Sequence, residues 1–369
     1  GFTLTNNSQI TDAYATGNVT GTSTSTSFDD SGANIGGFAG IIWNGADISN
    51  AYAAGNVTGA GYQVGGFAGY IGHTSNAANA SSITNSYATG NITSTSGYVG
   101  GFAGRTFNKA IISDSFAKGN VTGGALIVGG FIGEIKNNSD LQRNYAQGNV
   151  IGTTYVGGFA GNYVYTVAAE IPVFKYNSST GTVTGTGPIV GGLIGSITGF
   201  ALANPAEIYR SYSTSTANGT TEVGGLIGYA KWVNIDQSFA TGAVSATGAT
   251  SNVGGFIGKY DFGGTIDDSY AQGVVSGLSN VGGFIGFSNG SAAGAAWVKT
   301  SYAYGDVNGS VSSKEGFIGN LTAANFTCAN NFYNNTFAGD NTGTNCASGT
   351  SQANMQIQGT FTGYDFGTI

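Results

Sequence analysis

Two short motifs with apolar residues at fixed positions alternate along the chain. The first is Val-Gly-Gly-Phe-Ala/Ile-Gly, and its aromatic or leucine position recurs at intervals of 28 to 35 residues. The second is Ser/Ala-Tyr/Phe-Ala-x-Gly-Asn-Val-Thr-Gly, in which large and small side chains alternate with the period of two that a β-strand requires. The first motif places its large residue at Phe38, Phe67, Phe102, Phe131, Phe159, Leu193, Leu226, Phe256, Phe284 and Phe317. Such an unbroken repeat is typical of a stacked array.

The distances between the two motifs divide each unit into a constant part and a variable part. After a longer first interval, the second motif's aromatic precedes the next Gly-Gly-Phe by 14 to 17 residues, whereas the return distance runs from 13 to 20. Insertions therefore fall on one side of the array. We expect an all-β chain: a β-solenoid or stacked β-arches of ten to eleven rungs, each of roughly 30 residues with two or three strands. Residues 1–319 form the array, and residues 320–369 form a divergent last rung.

Stacking of identical positions predicts side-chain ladders along the axis, as in cross-β assemblies. In the segment 64–69, Val64 and Ala68 share one face while Phe67 takes the other, so both faces are apolar. We expect the core to cover one face and an insertion loop or a neighbouring molecule to cover the other. Gly1-Phe2 stands where later units carry Gly-Phe, which predicts a start directly on a rung with an exposed sheet edge.

Composition narrows the classes of function. Charged residues make up 8% of the chain, against roughly 25% in ordinary soluble domains. A net charge of −7 argues against nucleic acid as a partner, because nucleic acid needs a basic footprint. Glycine is abundant without a Gly-X-Y period, which excludes collagen. Since no apolar run approaches 18 residues, no membrane-spanning helix is expected.

Residues suited to catalysis or metal binding are scarce. His73 is the only histidine, so no His-Glu-x-x-His site exists, and Gly258-Lys259-Tyr260 is not a phosphate loop. The pairs Asp29-Asp30 and Asp267-Asp268 suggest calcium or paired carboxylates, but solvated turns are the preferred interpretation. We therefore predict no enzyme activity, no cofactor and no metal site.

Cysteines and asparagines offer two further predictions. Cys328 and Cys346 would form a disulfide in an oxidising compartment, the alternative being two reduced buried thiols. Asparagine in the second motif is expected to form a ladder rather than to carry glycans, because Asn149 fills that position without a glycosylation sequon. Sequons in the insertion loops are the better glycan acceptors, at Asn79, Asn137 and Asn289.

The segments Gly192-Leu193-Ile194-Gly195 and Gly225-Leu226-Ile227-Gly228 carry a Gly-Leu-x-Gly core, and 330–334 with 361–366 resemble the usual close of such arrays. The chain thus resembles the GLUG-motif repeats of bacterial and archaeal surface proteins, with Phe replacing Leu in most units and Tyr364 standing where the family more often has Trp. The resemblance implies an extracellular setting. It does not fix an activity, since the family includes adhesin passengers and stalks beside peptidases whose repeats are not catalytic. In its glycine-rich, charge-poor character the chain is also similar to self-assembling sheath proteins of archaea.

These observations favour a structural protein of the cell surface or envelope that assembles with copies of itself, end to end and laterally, into a sheath, fibre or layer. An adhesin passenger that binds a surface glycan or another cell through its loops is the alternative. Ice binding is disfavoured because the run Thr22-Ser23-Thr24-Ser25-Thr26 is not repeated in each rung. A polysaccharide lyase is disfavoured because clusters of basic and acidic residues are lacking.

Overall fold

A computed structural model describes residues 3–4, 7–23, 33–72, 79–95, 97–124, 126–166, 172–289, 296–308, 314–322, 326–336 and 346–356. The chain winds into a β-solenoid of about nine turns, with a spacing of about 31 residues between turns. Each turn adds one strand to each of five sheets, and all of the strand pairings are parallel and in register. The predicted all-β solenoid is confirmed. Five short strands per turn replace the two or three predicted, because glycines and left-handed corner residues interrupt the chain every few residues.

We number the sheets in the order in which the chain enters them. Sheet 1 follows the Gly-Gly-Phe motif and contains Thr3–Leu4, Ala39–Trp43, Ala68–Gly72, Ala103–Phe107, Ile132–Lys136, Ala160–Val164, Ile194–Thr198, Ile227–Lys231, Ile257–Asp261, Ile285–Asn289 and Ile318–Leu321. Sheet 2 contains Gln9–Thr11, Asp47–Ser49, Ser81–Thr84, Ala110–Ser113, Asp140–Gln142, Phe174–Lys175, Ala206–Tyr209, Val233–Asp236, Gly264–Asp267, Ala296–Lys299 and Phe326–Ala329.

The second motif spans sheets 3 and 4. Sheet 3 contains Tyr14–Ala15, Tyr52–Ala53, Tyr87–Ala88, Phe116–Ala117, Tyr145–Gln147, Ser178–Thr180, Tyr212–Ser213, Phe239–Ala240, Tyr270–Ala271, Tyr302–Ala303, Phe332–Asn334 and Ser348–Thr350. Sheet 4 contains Val19–Gly21, Val57–Gly59, Ile92–Ser94, Val121–Gly123, Val150–Gly152, Thr182–Gly185, Thr216–Gly219, Val244–Ala246, Val275–Ser276 and Val307–Asn308.

Sheet 5 leads into the Gly-Gly-Phe motif and so closes each turn. It contains Asn34–Gly36, Gln63–Gly65, Tyr98–Gly100, Ile127–Gly129, Tyr155–Gly157, Ile189–Gly191, Glu222–Gly224, Asn252–Gly254, Val281–Gly282 and Lys314–Glu315. One helical turn, Gln352–Met355, follows the last strand of sheet 3, and the Ser351 side chain caps it by accepting from the Asn354 N–H.

Two apolar cores run along the solenoid. Phe67 belongs to the larger core, which sheets 1, 2 and 3 enclose, and Val64 belongs to a second core between sheets 4 and 5, where it meets Val57. Our expectation that a loop or a neighbouring molecule covers the second face of the Gly-Gly-Phe segment is therefore wrong. The valine side chains of sheet 4 cover it within the same chain.

Glycines of the first motif allow backbones of adjacent turns to touch. A Cβ atom on Gly129 would lie 2.0 Å from the carbonyl oxygen of Ile132 and 2.7 Å from the nitrogen of Gly161 in the next turn. The equivalent glycine of the following turn, Gly157, meets Gly195 at the same 2.7 Å. The first glycine of one motif thus packs on the last glycine of the next, which explains why both positions exclude a side chain.

A corner between sheets 2 and 3 holds one residue per turn in the left-handed region. Asn50 has φ 52° and Asn85 has φ 48°, as expected of residues that tolerate this conformation. Arg143 occupies the same corner at φ 55°, although its side chain has no such intrinsic preference. The stacking of neighbouring turns, rather than local propensity, therefore fixes the corner.

The last rung is tied to the solenoid by the Cys328–Cys346 disulfide, which joins Cα atoms 5.1 Å apart across 18 residues. This confirms the predicted pairing. Tyr333 is 6% exposed, and its ring fills the space beside Gly316 at this end of the larger core. Sheets 2 and 3 continue in register beyond residue 320, and a domain boundary there stays a prediction.

Candidate functional site: side-chain ladders and an outer groove

The residues of the Gly-Gly-Phe position form stacked columns inside the larger core. Phe67 and Phe102 stack with ring centroids 4.7 Å apart, and Phe284 and Phe317 with centroids 4.8 Å apart. All ten positions are buried except Phe38, which is partly buried; the others are Phe67, Phe102, Phe131, Phe159, Leu193, Leu226, Phe256, Phe284 and Phe317. The predicted stacking occurs within one chain. The nine buried side chains cannot reach another molecule in the folded chain, so they do not form a lateral contact.

A second aromatic ladder lies on the outside of sheet 3. Tyr52 and Tyr87 stack with centroids 4.9 Å apart and planes 2° from parallel, and Tyr270 and Tyr302 repeat the arrangement at 5.0 Å. Their rings are half-buried, with one edge in solvent. Ser178 interrupts the ladder, as its departure from the motif indicates. Stacking at each step adds about 0.5–1.5 kcal/mol beyond area burial and rigidifies the rod.

The predicted asparagine ladder is present on sheet 4. The Asn18 Oδ1 accepts the Asn56 N–H at 2.8 Å, and the pattern continues from Asn56 to Asn91 and from Asn120 to Asn149. Each side chain thus satisfies a main-chain donor of the next turn. This use of the side chain supports a structural role for the asparagine of the second motif.

A buried ladder that our sequence analysis missed precedes the aromatic of the second motif. The Ser86 N–H donates to the Ser115 Oγ, the Ser115 N–H to the Asn144 Oδ1, and the Ser238 N–H to the Ser269 Oγ. Asn144 also donates from Nδ2 to the Ile112 carbonyl at 2.8 Å. The recurrent Ser or Asn at this position was the available signal, because small polar residues at a corner satisfy main-chain groups.

The candidate glycan acceptors differ in accessibility. Asn79 is exposed, although its Nδ2 donates to Asn7, and Asn289 is exposed at the end of a sheet 1 strand. Asn137 is 5% exposed and its Nδ2 donates to the Asn108 Oδ1 at 2.9 Å. Glycosylation of Asn137 is therefore incompatible with the folded chain, because the amide nitrogen that would carry the glycan is buried and already bonded.

The acidic residues near the sheet 2 corner come together. Carboxylate oxygens of Asp236, Asp267 and Asp268 lie within 4.8 Å of one another. The Lys299 Nζ lies 2.5 Å from the Asp267 carboxylate, and Thr300 donates to the same carboxylate. Burial and then the two neighbouring carboxylates raise the pKa of Asp236. Lys299 thus pairs with one of the three carboxylates, and the cluster keeps an excess of negative charge. His73, Asp29 and Asp30 lie outside the described residues.

A groove of about 330 Å³ with a mixed polar and apolar lining opens on the outer surface where sheets 5 and 1 meet. Sheet 5 lines it with Tyr155, Ile189 and Glu222, and sheet 1 lines it with Asn162, Val164, Ser196, Thr198 and Tyr229. Lys259 stands at one end, with its Nζ 3.8 Å from Glu222 and 3.1 Å from Asp261. Burial raises the pKa of Glu222, and Lys259 opposes that rise.

Comparison with known proteins identifies a known repeat motif in part of the chain. Residues 31–58, 60–93 and 95–122 match the GLUG motif. This part of the chain consists of three GLUG repeats. Each match spans about one turn of the solenoid, so a GLUG repeat is one five-stranded coil. The later coils pair in the same register and carry the same glycine contacts, so the same five-stranded coil continues as far as sheet 5 does.

Neither a curated protein nor a solved structure matches the chain. GLUG repeats and a β-solenoid fit a surface or structural repeat protein. Among the described residues, the helix is far too short to cross a bilayer.

Proposed function

We propose that the chain is a non-enzymatic structural protein of the cell exterior that assembles by edge-to-edge stacking of its solenoid into a fibre, sheath or layer. The observation that carries this proposal is the five in-register parallel sheets, whose strands run across the rod and whose hydrogen bonds run along it. A terminal coil of such a rod carries unpaired main-chain groups on every sheet. Low charge, 8% of residues, leaves little electrostatic repulsion between rods.

The first described strand of sheet 4 shows how stacking would proceed. The Val19 N–H donates to the Asn56 carbonyl at 2.8 Å, toward the second coil. Main-chain groups alternate in direction along a strand, so the Thr20 N–H points away from the second coil. An added strand from another molecule would bond to this donor.

A substitution at this position tests the proposal. Thr20→Pro removes the outward N–H and leaves the bonds between coils in place, whereas Thr20→Ala removes the side chain and keeps the donor. We expect the unmodified chain and Thr20→Ala to form regular filaments with an axial spacing of about 4.8 Å, and Thr20→Pro to shorten or abolish them. Electron microscopy, fibre diffraction and sedimentation are the measurements. Dispersed single rods of the unmodified chain at every concentration would overturn the proposal.

A second candidate function is adhesion through a bound carbohydrate. One observation favours it: the outer groove combines two tyrosines with hydroxyl, amide and carboxylate groups. For this candidate function the binding surface would be the strands of sheets 5 and 1, whereas our sequence analysis favoured the insertion loops.

A further inference from the structure

The groove exists because two successive coils carry short side chains where their neighbours carry long ones. One position of sheet 1 reads, coil by coil, Arg105, Glu134, Asn162, Ser196, Tyr229 and Lys259. Two residues further along, Phe107 and Lys136 give way to Val164 and Thr198. The repeated backbone is unchanged through these coils, so side-chain volume alone opens the space.

Neighbouring coils show how the same surface looks when it is filled. The Arg105 guanidinium covers the Tyr98 ring at 5.0 Å and pairs with Glu134 at 2.7 Å. At the other end of the groove Lys259 bridges Glu222 and Asp261. Charged groups therefore close both flanks with internal partners, and the open stretch between them is lined by uncharged side chains, both polar and apolar.

The groups facing the open stretch suit a ligand that is polar and neutral. Asn162 donates its Nδ2 to Glu134 at 3.3 Å, which leaves its carbonyl oxygen as an acceptor. The Ser196 hydroxyl forms no hydrogen bond with any described residue although Ser196 is 5% exposed. Tyr155 and Tyr229 lie two coils apart, about 10 Å along the axis at the spacing of parallel strands.

We propose that this groove binds one or two neutral sugar rings of a surface glycan. A sugar ring presents an apolar face to tyrosine and hydroxyl groups to Ser196, Thr198 and Glu222, so it matches both kinds of lining at once. An apolar ligand would leave the Ser196 and Thr198 hydroxyls unbonded, which is costly. An anionic ligand would meet Glu222, and a cationic ligand would find both carboxylates already paired with Lys259. The volume lies at the lower end of small-molecule pockets, roughly 300–1,000 Å³.

Burial at the groove agrees with this assignment. The pKa of Glu222 is raised first by loss of solvent, so a ligand hydroxyl that donates to this carboxylate would supply a hydrogen bond that burial withholds. The inference rests on the second candidate function and is independent of assembly. The groove lies on the side of the rod, so a chain that binds no sugar can still form filaments.

Saturation-transfer NMR with the methyl glycosides of glucose, galactose, mannose and N-acetylglucosamine, each at about 10 mM, tests the site on the full chain. Ser196→Arg fills the groove with the side chain that the surface carries at Arg105. Tyr155→Ala removes one aromatic wall. Tyr98→Ala is the matched control, because Tyr98 occupies the same register as Tyr155 two coils away and is covered by Arg105.

We expect transfer to at least one glycoside, a loss of affinity of about tenfold or more in Ser196→Arg and Tyr155→Ala, and unchanged affinity in Tyr98→Ala. Circular dichroism establishes that each variant is folded; if Tyr155→Ala is not, Ser196→Arg decides, because the equivalent position of another coil already holds an arginine, Arg105. Transfer to none of the four glycosides, or equal affinity in Ser196→Arg and the unmodified chain, overturns the proposal. Sedimentation of the same samples reports assembly separately, so failure of one proposal is distinguishable from failure of the other.

Discussion

Replacing Gly129 with alanine should be among the most damaging single-methyl additions in this chain. The added Cβ would lie 2.0 Å from the Ile132 carbonyl oxygen and 2.7 Å from the Gly161 nitrogen, and both neighbours are main chain. Neither atom can move aside by changing a rotamer, so the corner between Gly129 and Ile132 must open within its own coil, and the next coil must move away at Gly161. Gly17 offers the matched control: a Cβ there meets nothing within 4 Å, although both glycines belong to the repeated motifs.

The hydrogen bonds that the displacement breaks set its magnitude. An ordinary contact to oxygen or nitrogen is close to 3.4 Å, so the corner must open by more than about 1 Å at the Ile132 oxygen, and the next coil must move by about 0.7 Å at the Gly161 nitrogen. Such a shift weakens the bonds from the Gly130 N–H to Gly157 and from the Phe131 N–H to Phe159, which measure 3.1 and 2.8 Å. Two bonds at about 1 kcal/mol each, with partial exposure of the buried Phe131 ring at about 1.5–3 kcal/mol, give a loss of about 3–5 kcal/mol.

Urea denaturation followed by circular dichroism, with native-state hydrogen exchange, would measure this loss. In a repeat array each coil contacts only its neighbours, so exchange should quicken first in the coils on either side of Gly129. Gly17→Ala should be neutral or stabilising by about 0.4–1 kcal/mol, because alanine restricts the unfolded chain. If the two variants unfold within about 0.5 kcal/mol of each other, close backbone contact does not explain the conserved glycine spacing within this chain.

Three further predictions follow from the contacts described above. Asn144→Leu should destabilise the chain by about 2–4 kcal/mol in urea titrations, because it leaves buried main-chain groups of two neighbouring strands without partners. Reducing the Cys328–Cys346 disulfide should lower the stability of the last rung by about 3 kcal/mol and quicken its hydrogen exchange, with the central coils unchanged. The pKa of Asp236 is raised in the folded state, so the stability that its protonation contributes is full below the pKa of the unfolded state and is lost as pH rises through the pKa of the folded state. Lys299→Met should raise the pKa of Asp236 further and lower the stability by about 0.5–1 kcal/mol more at pH 7 than at pH 4 in thermal melts. An equal loss of stability at both pH values would contradict the reasoning.

Much of the architecture could be predicted from the sequence because the fold repeats one structural unit. Phe67 and Val64 predicted the two apolar faces, and the second motif predicted the asparagine ladder. The strand count could not be predicted, since corners held by stacking, such as that at Arg143, carry no local turn signal. The sequence also did not indicate which part of the molecule covers the second apolar face. Only the closed turn brings Val64 onto Val57 and forms a second core inside the same chain.

The candidate binding site was invisible for a related reason. In the sequence, histidines, acidic pairs and insertion loops are the natural candidates for a functional site, because they depart from the repeat. The groove instead arises because the side chains of Asn162 and Ser196 are short. Short side chains indicate a groove only when the longer side chains at the same position of the neighbouring coils are known. Two kinds of position keep the coils in register and leave little room for change: the glycines at close backbone contacts and the buried Ser/Asn ladder. The outer positions of sheets 1 and 5 tolerate variation. We therefore expect a rod of this kind to bind a ligand where the outer side chains of one coil differ from those of its neighbours.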